Sequence, residues 1–418
     1  CELVSEIFAA TDMLDFALAR TVMTGLNLDR MGGSVASFDN LYLPRLHRSG
    51  FVAPNASSEH IASPGGFVLD SQPGIYDHVL VLDFKSLYPS IIRTFLVDPL
   101  GLALGVSGEL AEEETVPGYL EARFARDGHI LPELIQQLWQ KRDAARRDGD
   151  APLSQAIKII MNSFYGVLGT PGCRFFDARL ASSITRRGHQ ILGRTRDYIE
   201  EAGHRVIYGD TDSVFVWIHE ARNDGQAERA GRELEGALNE WWKQQLAEEF
   251  GLESVLELEF ETHFRRFLMP TIRGSDKGSK KRYAGVVAGA DGERLVFKGL
   301  ENVRTDWTRL ARAFQEELYR RIFMEEPFEA YVRNIANAVL AGECDEQLVY
   351  RKRLRRRLDE YQRNIPPHVQ AARLCEERGL TPPSRGSWVE YVITSAGAEP
   401  AEKPLAPLDY QHYVDRQL

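Results

Sequence analysis

The sequence predicts an α+β protein, and a β-hairpin, an apolar strand and two amphipathic helices are its clearest elements. Runs of β-branched and aromatic residues, RVIY and SVFVWI, flank the segment YGDTDS at 208–213, which predicts a hairpin with a glycine turn. HVLVLDF at 78–84 is typical of an apolar strand. LPELIQQLWQKRDAARR at 131–147 and KIIMNSFYG at 158–166 have the periodicity of helices.

Carboxylates lie at the ends of the predicted strands. Asp210 and Asp212 stand two residues apart in the hairpin tip, where their charges would repel unless a cation lay between them. Asp83 ends the other strand. Oxygen ligands without a neighbouring His or Cys suit Mg²⁺ better than Zn²⁺. The pattern therefore predicts a metal site for phosphate chemistry. Taken alone, the aspartate pair would be typical of a solvated loop, and the D-x-D-x-D-G pattern of an EF-hand is absent.

The two predicted helices carry polar side chains that suit a triphosphate. Lys158, Asn162 and Tyr165 fall at i, i+4 and i+7, so they share one helix face. Arg142 and Arg146 are four residues apart on the preceding helix, and DGDAP forms the turn between the helices. Two antiparallel helices with these cations would make a cationic clamp. Arg146 could equally be a solvated charge on its helix.

Three of these runs, in this order and spacing, resemble motifs A, B and C of the family B DNA polymerases: DFKSLYPSII, KIIMNSFYG and YGDTDS. Further runs resemble the bacterial DNA polymerase II branch of that family: SPGGF at 63–67, GTPGCRFFDARLASSIT at 169–185, GSKKRYAG at 278–285 and FKGLENVRTDW at 297–307. The resemblance covers essentially the whole chain. It implies a template-directed enzyme that adds dNTPs to the 3′-hydroxyl of a primer on DNA.

The resemblance also implies roles for individual residues. Asp83 and Asp212 would bridge two Mg²⁺ ions, with Mn²⁺ as a substitute, and Asp210 and the Phe84 carbonyl would lie beside them. One metal would lower the pKa of the primer hydroxyl, and the other would neutralise the leaving pyrophosphate. The nucleotide-binding residues would be Phe84, Leu87, Tyr88, Arg142, Arg146, Lys158, Asn162 and Tyr165. Tyr88 would exclude a 2′-hydroxyl, although it could instead be a core aromatic.

The residues that the resemblance assigns to primer-template DNA are Gly65, Gly66, Gly166, Lys280, Lys281, Arg282 and Tyr283. The basic residues at 280–282 could alternatively form an exposed loop. RKRLRRR at 351–357 could bind template phosphates or form a solvated helix face.

The implied fold is the right-hand polymerase architecture, with an antiparallel-sheet palm, two-helix fingers and a largely helical thumb. The expected segments are a helical part packing behind the palm (1–52), palm (53–130), fingers (131–170), palm (171–300) and thumb (301–418).

The charge distribution is uneven along the 418 residues, whose formal net charge is −10. Residues 265–282 and 351–357 are strongly basic, whereas acidic residues crowd 109–121 and 228–261. Charges more than about 10 Å away are screened at moderate salt, so DNA responds to the nearby groove and not to the net charge. The acidic total therefore does not exclude a DNA-binding protein.

The cysteines indicate a reducing compartment. Cys1, Cys173, Cys344 and Cys375 are scattered without a CxxC spacing, which favours neither a zinc module nor a disulfide framework and is typical of the cytoplasm. No apolar run is expected to approach the roughly 20 residues of a membrane span, and no signal peptide is recognisable. We therefore expect no membrane partner.

The termini suggest a fragment. CELVSEIF at the start resembles the segment that follows the last exonuclease motif, so the amino-terminal and proofreading domains would lie upstream. PLDYQHYVDRQL resembles a point short of the family's carboxyl terminus, so the thumb would be clipped. A sliding clamp is a further partner of such enzymes, and the peptide that contacts it would sit at the missing terminus.

Two other classes of protein fit the sequence less well. An inactive, DNA-binding scaffold would be expected to lack a metal carboxylate, but Asp83, Asp210 and Asp212 are all present. A reverse transcriptase or RNA polymerase palm is disfavoured by KIIMNSFYG, by the KKRY run and by Tyr88. A protein-primed viral enzyme is a subtler variant of the family, and it would carry extra segments between motifs A and B, for which the stretch from Asp83 to Lys158 has little room.

Overall fold

The computed structural model describes residues 2–56, 64–272, 274–289 and 292–418. Among the residues discussed above, Cys1 and Ser63 lie outside this described part of the chain. The chain divides into two compact units, one made of residues 1–70 and 80–263 and the other of residues 71–79 and 264–418. This division does not test the five predicted segments, which stay predictions.

The helices of the first unit dominate its described residues. They are α1 (Glu2–Ala10), α2 (Met13–Thr24), α3 (Ser34–Arg48), α4 (Leu87–Thr94), α5 (Pro99–Gly105), α6 (Leu131–Arg147), α7 (Ala151–Leu168), α8 (Ala178–Glu201) and α9 (Asp224–Phe250). The two helices predicted at 131–147 and 158–166 are confirmed. α7 begins earlier than predicted because the Asp150 side chain accepts a hydrogen bond from the Leu153 N–H at 2.9 Å and Pro152 lies in the first turn.

The strands up to residue 269 are β1 (Gly74–Phe84), β2 (Thr115–Pro117), β3 (Arg123–Ala125), β4 (Arg205–Asp210), β5 (Ser213–Trp217) and β6 (Leu258–Met269). β4, β5, β1 and β6 are neighbours in that order, and β2 and β3 form a separate ribbon. β1 lies between two strands, and residues on both of its faces are buried, for example Val81 and Leu82. This position explains the continuous apolar run of β1.

A buried carboxylate determines where α6 begins. The Asp98 side chain is fully buried and accepts hydrogen bonds from the Tyr42 hydroxyl at 3.0 Å, the Gly101 N–H at 2.7 Å and the Leu131 N–H at 2.7 Å. Burial raises the pKa of Asp98, and the hydrogen bonds oppose that rise. Asp98 therefore joins α3, the first turn of α5 and the first residue of α6.

One apolar stretch is longer than the sequence analysis expected. Leu87–Gly105, with 19 residues, is apolar enough to cross a membrane by length and composition, so the expectation that no stretch approaches this length is wrong. However, 67% of its most apolar window is buried inside the protein. A helix that is mostly buried inside a protein passes the same test of length and composition, so this stretch is weak evidence for a membrane span.

The second unit combines two sheets with helices. Its further elements are β7 (Tyr283–Gly289), β8 (Gly292–Lys298), α10 (Arg309–Phe323), α11 (Glu329–Leu340), β9 (Tyr350–Arg353), α12 (Pro367–Glu377), β10 (Trp388–Thr394), β11 (Gly397–Pro400) and α13 (Tyr410–Gln417). From Phe264 onwards β6 pairs with β7, which pairs with β8, and all three are antiparallel. β11, β10 and β9 form a second sheet in that order.

The basic block at 351–357 does not form a helix, so that alternative is wrong. Tyr350–Arg353 is strand β9, which pairs antiparallel with β10. Lys352 forms an ion pair with Asp306 at 3.8 Å, and the Arg353 Nε donates to the Gly386 carbonyl at 2.7 Å. These contacts show that some basic side chains of the block are paired within the second unit. The prediction that the block binds template phosphates stays open.

Candidate active site

The predicted hairpin is confirmed, but its turn is not formed by glycine. β4 and β5 pair antiparallel up to Asp210, which lies opposite Ser213. The left-handed backbone conformation is at Thr211, with a φ of 59°. Gly209 lies within β4, where an added Cβ would stand 2.6 Å from Cδ1 of Leu69. The prediction of a glycine turn is therefore wrong, and Gly209 is needed for a close approach of the neighbouring chain.

The end of β1 lies beside the hairpin tip. The Phe84 N–H donates a hydrogen bond of 2.7 Å to the Asp212 carbonyl. Phe84 itself is buried, whereas Asp83 is half-buried. The backbone bond therefore joins the two strands that carry the predicted metal carboxylates, although these strands are separated by more than a hundred residues of sequence.

The electrostatic surroundings of Asp83 are strongly negative. Burial, together with the charges of Asp212, Glu261 and Glu259, raises the pKa of Asp83 to about 7, while Lys158 opposes the rise. Several carboxylates lie together here and repel one another, so Asp83 resists ionisation. A bound divalent cation would offset this repulsion. The donors are all oxygen atoms, so the cluster fits a hard cation such as Mg²⁺ or Mn²⁺.

Two of these carboxylates, Glu259 and Glu261, were missed by the sequence analysis. They lie on β6 within the run LELEFETH, where they alternate with other residues and so point to one face of the strand, and Glu257 directly precedes the strand. That alternation was the available signal. Lys85 lies between two of these glutamates, with its Nζ 3.1 Å from Glu257 and 2.8 Å from Glu259. Lys85 therefore offsets part of the negative charge next to Asp83.

The polar face of α7 points towards the carboxylates. The charge of Lys158 lowers the pKa of Asp83, so Lys158 lies within electrostatic range of that carboxylate. Lys158 and Asn162 are exposed, and Tyr165 is half-buried. The helix therefore leaves a lysine and an amide available to a ligand beside the carboxylate cluster.

The two arginines of α6 have different environments. Arg142 is only 6% exposed, and its Nε is buried without a hydrogen-bond partner among the described residues. Burial lowers the pKa of Arg142, and the nearby Arg146, which is exposed, lowers it further. A buried cation with an unsatisfied donor is costly unless an anion pairs with it. This environment favours Arg142 as an anion-binding residue, and the alternative of a solvated charge remains for Arg146.

Tyr88 lies between the carboxylates and α7. Its ring centre is 4.6 Å from that of Tyr165. Burial raises the pKa of Tyr88 to about 12, with further contributions from Tyr165, Asp212 and Asp210. The side chain is half-buried, while its neighbour Leu87 is buried. Tyr88 is therefore not a fully buried core aromatic, and part of its ring is open to a ligand.

The predicted DNA-binding glycines have two kinds of surroundings. Gly66 packs against the hairpin tip, because an added Cβ would stand 2.6 Å from Oγ1 of Thr211. Apart from neighbours along the chain, no described residue lies within 4 Å of the position that a Cβ at Gly65 or Gly166 would take. Gly166 is also exposed on α7. Packing inside the first unit therefore requires glycine at 66, whereas at 65 and 166 the space is free for a ligand.

The KKRY run belongs to the second unit, where its residues differ in exposure. Lys280 and Lys281 are exposed, and Lys281 has a φ of 61°. Arg282 forms an ion pair with Glu301, which also accepts a hydrogen bond from Gln315 at 2.8 Å. Tyr283 is half-buried at the start of β7. Arg282 and Tyr283 therefore have structural contacts in addition to the DNA contacts predicted for them.

The raised pKa of Asp83 predicts a pH-dependent stability in the absence of metal. An unfolded aspartate loses its proton near pH 4, so the free energy of unfolding falls as the pH rises from about 4 to about 7. We expect Asp83→Asn to raise the melting temperature relative to the parent above pH 7, with the gain shrinking as the pH falls towards 4. Thermal denaturation of both proteins with a chelator across this pH range measures the difference in melting temperature. The exposed Asp148→Asn is the control, and a gain that grew at low pH would contradict the assignment.

Comparisons with known proteins give the family. A sequence profile of DNA polymerase family B matches residues 31–417. DNA polymerase II of Escherichia coli K12 is 58% identical over 426 residues, which cover 100% of this chain and 54% of that protein. A DNA polymerase of Thermococcus gorgonarius is 27% identical, covering 88% of this chain and 48% of its own length.

A solved structure agrees with these sequence relationships. The family B DNA polymerase of Pyrobaculum calidifontis aligns with a TM-score of 0.67 at 28% identity and covers 98% of this chain and 53% of its own. The chain belongs to DNA polymerase family B. The predicted resemblance to the bacterial DNA polymerase II branch is confirmed by the match to the Escherichia coli protein. The chain spans about half the length of the curated relatives it matches.

Proposed function

We propose that this chain carries the polymerising centre of a template-directed DNA polymerase, which adds dNTPs to the 3′-hydroxyl of a DNA primer. The supporting observation is that the Phe84 N–H donates to the Asp212 carbonyl, which brings the end of β1 to the hairpin tip. The charge of Asp212 raises the pKa of Asp83 there, and Lys158 on α7 lowers it. A carboxylate cluster next to a cationic helix face can hold metal ions and a triphosphate at the same place. Membership in DNA polymerase family B supports the same reaction.

Asp83, Asp212 and the Phe84 carbonyl would hold two Mg²⁺ ions, with Asp210 beside them. When bound, the ions would lower the pKa of the primer hydroxyl and neutralise charge on the leaving pyrophosphate. Lys85 keeps Glu257 and Glu259 paired, so these glutamates compete less for the same cations.

The triphosphate would be held by α6 and α7. Arg142 offers a buried guanidinium whose Nε has no partner among the described residues, and Lys158 and Asn162 offer exposed donors one helical turn apart. Arg146, one turn further along α6, would add a second positive charge. Because these donors are already in place in the folded chain, little reorganisation would oppose their contact with the phosphates.

Tyr88 and Leu87 would lie under the incoming sugar, with the Tyr165 ring beside them. The duplex would contact the glycines at 65, 66 and 166 and the 280–283 run. Cytoplasmic location is proposed from the scattered cysteines, three of which are buried and free. Contact with a sliding clamp stays a prediction of the resemblance.

Primer extension tests the proposed function. The chain is incubated with Mg²⁺, a primer-template duplex and each dNTP alone, and only the nucleotide complementary to the template should be added. A chelator should stop the reaction. The same assay is repeated with an RNA template and with rNTPs. Efficient addition in either case would identify a different template-directed polymerase. Binding of primer-template DNA without any addition, in Mg²⁺ or Mn²⁺, would favour the inactive scaffold.

The place of Tyr88 predicts its effect on sugar selection. We expect Tyr88→Ala to raise the incorporation of ribonucleotides relative to deoxynucleotides, because the ring would no longer occupy the space into which a 2′-hydroxyl projects. Tyr88→Phe is the matched control, since it keeps the ring and should keep the discrimination. Single-nucleotide competition assays measure the ratio, and an unchanged ratio in Tyr88→Ala would return this residue to a structural role.

A further inference from the structure

A short segment of chain, residues 65–69, runs along the tip of the hairpin. The Thr211 N–H donates to the Phe67 carbonyl at 2.8 Å, and the Leu69 N–H donates to the Gly209 carbonyl at 2.9 Å. Val68 forms a β-bridge with Asp210. The segment therefore acts as a short extra strand that supports the residues on either side of the turn.

Thr211 needs such support. A β-branched residue at a φ of 59° is in a region that costs about 1–3 kcal/mol outside glycine. Its side chain is closed in by Gly66, where any Cβ would stand 2.6 Å from the Thr211 Oγ1. The same Oγ1 donates to Asp210 Oδ1 at 3.0 Å. The orientation of the Asp210 carboxylate is thus linked to the position of the 65–69 segment.

A histidine that was not among the predicted site residues joins this segment to the long helix α8. His189 lies on α8, and its Nε2 is 2.9 Å from the Gly65 carbonyl oxygen, so an Nε2–H donates there. The ring centre of His189 is also 5.0 Å from that of Phe67. Contacts at both ends of residues 65–67 restrain the segment that packs on Thr211.

We propose that His189 is a positioning residue for the Asp210 carboxylate, acting through residues 65–67 and Thr211. This inference rests on the proposed function, because it concerns the carboxylate cluster that would hold the metal ions. It assigns no contact between His189 and the reacting groups. The contribution of His189 is to keep the hairpin tip in one conformation before cations and substrates bind.

The first test removes the His189 contact. Loss of a residue that directly orients a metal ligand costs about 10- to 100-fold in metal affinity or activity, and His189 would act less directly, through residues 65–67 and Thr211 on a carboxylate beside the ligands. We therefore expect His189→Leu to raise the Mg²⁺ concentration for half-maximal thermal stabilisation of the protein, measured without nucleotide, by about three- to tenfold. The rate of nucleotide addition should fall comparably, while the KM for dNTP and the Kd for DNA stay near parental values. His189→Gln, which keeps an N–H donor, should restore most of the parental Mg²⁺ affinity and rate of addition.

Matched variants separate positioning from general destabilisation. His47→Leu, an exposed histidine on α3, is the control and should leave the Mg²⁺ titration unchanged. Thr211→Val removes the hydroxyl but keeps the branched shape, and it should reproduce the His189→Leu shift, whereas Thr211→Ser should not. The double variant His189→Leu/Thr211→Val should be no worse than the more severe single variant, because both changes act on one linked unit.

Several outcomes would overturn the proposal. A weaker DNA Kd in His189→Leu with an unchanged Mg²⁺ titration would mean that the segment serves only the duplex. Additive losses in the double variant would mean that the two contacts are independent. If the parental chain failed to extend a primer, the proposed function would fail, but the Mg²⁺ thermal titration would still decide the role of His189.

Discussion

Asp212→Asn should abolish nucleotide addition while leaving the affinity for primer-template DNA nearly unchanged, and Asp83→Asn should do the same. Both carboxylates lie where the backbone of β1 meets the hairpin tip, and the pKa of Asp83 responds to the charge of Asp212. If bound cations supply most of the charge neutralisation in the transition state, losing a ligand should lower the rate at least about 10³-fold.

Single-turnover extension measures the rate, and fluorescence anisotropy with labelled duplex measures the affinity. Asp197→Asn is the control: this aspartate is exposed on α8 and pairs with its neighbour Arg196. A chain with Asp212→Asn that extended primers within tenfold of the parent would remove Asp212 from the metal site.

Lys158→Ala should raise the KM for dNTP and lower the rate of addition by about 10²-fold or more, with DNA affinity almost unchanged. Lys158 is exposed on α7 and faces the carboxylate cluster, so its expected partner is the charge that develops on the leaving phosphates. Loss of the contact with the bound triphosphate raises KM and loss of its strengthening in the transition state lowers kcat, so kcat/KM should fall by more than kcat alone. Lys158→Arg, which keeps the charge, is the matched variant and should retain part of the activity.

Lys281→Ala provides the contrast in the second unit. Its predicted partner is a phosphate of the duplex, so the substitution should weaken DNA binding on any sequence and reduce the salt slope of log K by about one unit per lost contact. The KM for dNTP should hardly change. If Lys158→Ala chiefly lost DNA affinity and Lys281→Ala chiefly lost dNTP binding across a salt series, the two roles would have to be exchanged.

Some features of the site followed directly from local sequence. The hairpin around Asp210 was predicted from the β-branched and aromatic runs that flank it, and the helices carrying Arg142 and Lys158 from their periodicity of 3.6 residues, because these are local properties of the chain. The family was also recognisable, because three short runs in a fixed order are far more specific than any one of them. Strand ends and helix faces then indicated the candidate residues.

Other features depended on contacts between distant segments. Glu259 and Glu261 join the carboxylate cluster because β6 is the neighbour of β1, and no local pattern predicted that pairing. The left-handed residue of the turn is Thr211, although propensity favoured a glycine there. Gly209 instead lies within β4, where Leu69 packs closely beside it. Packing across the chain overrode the intrinsic preference of each residue.

The sequence by itself determined the chemistry of this protein: acidic strand ends, a cationic helix face and the membership in DNA polymerase family B. Only the tertiary structure decided the environment of each group. It buried Arg142 with an unsatisfied Nε, paired Arg282 with Glu301 and placed His189 against the segment that supports Thr211. The physical reason is that residue type and spacing are local, whereas burial, charge coupling and support arise only when distant parts of the chain pack together.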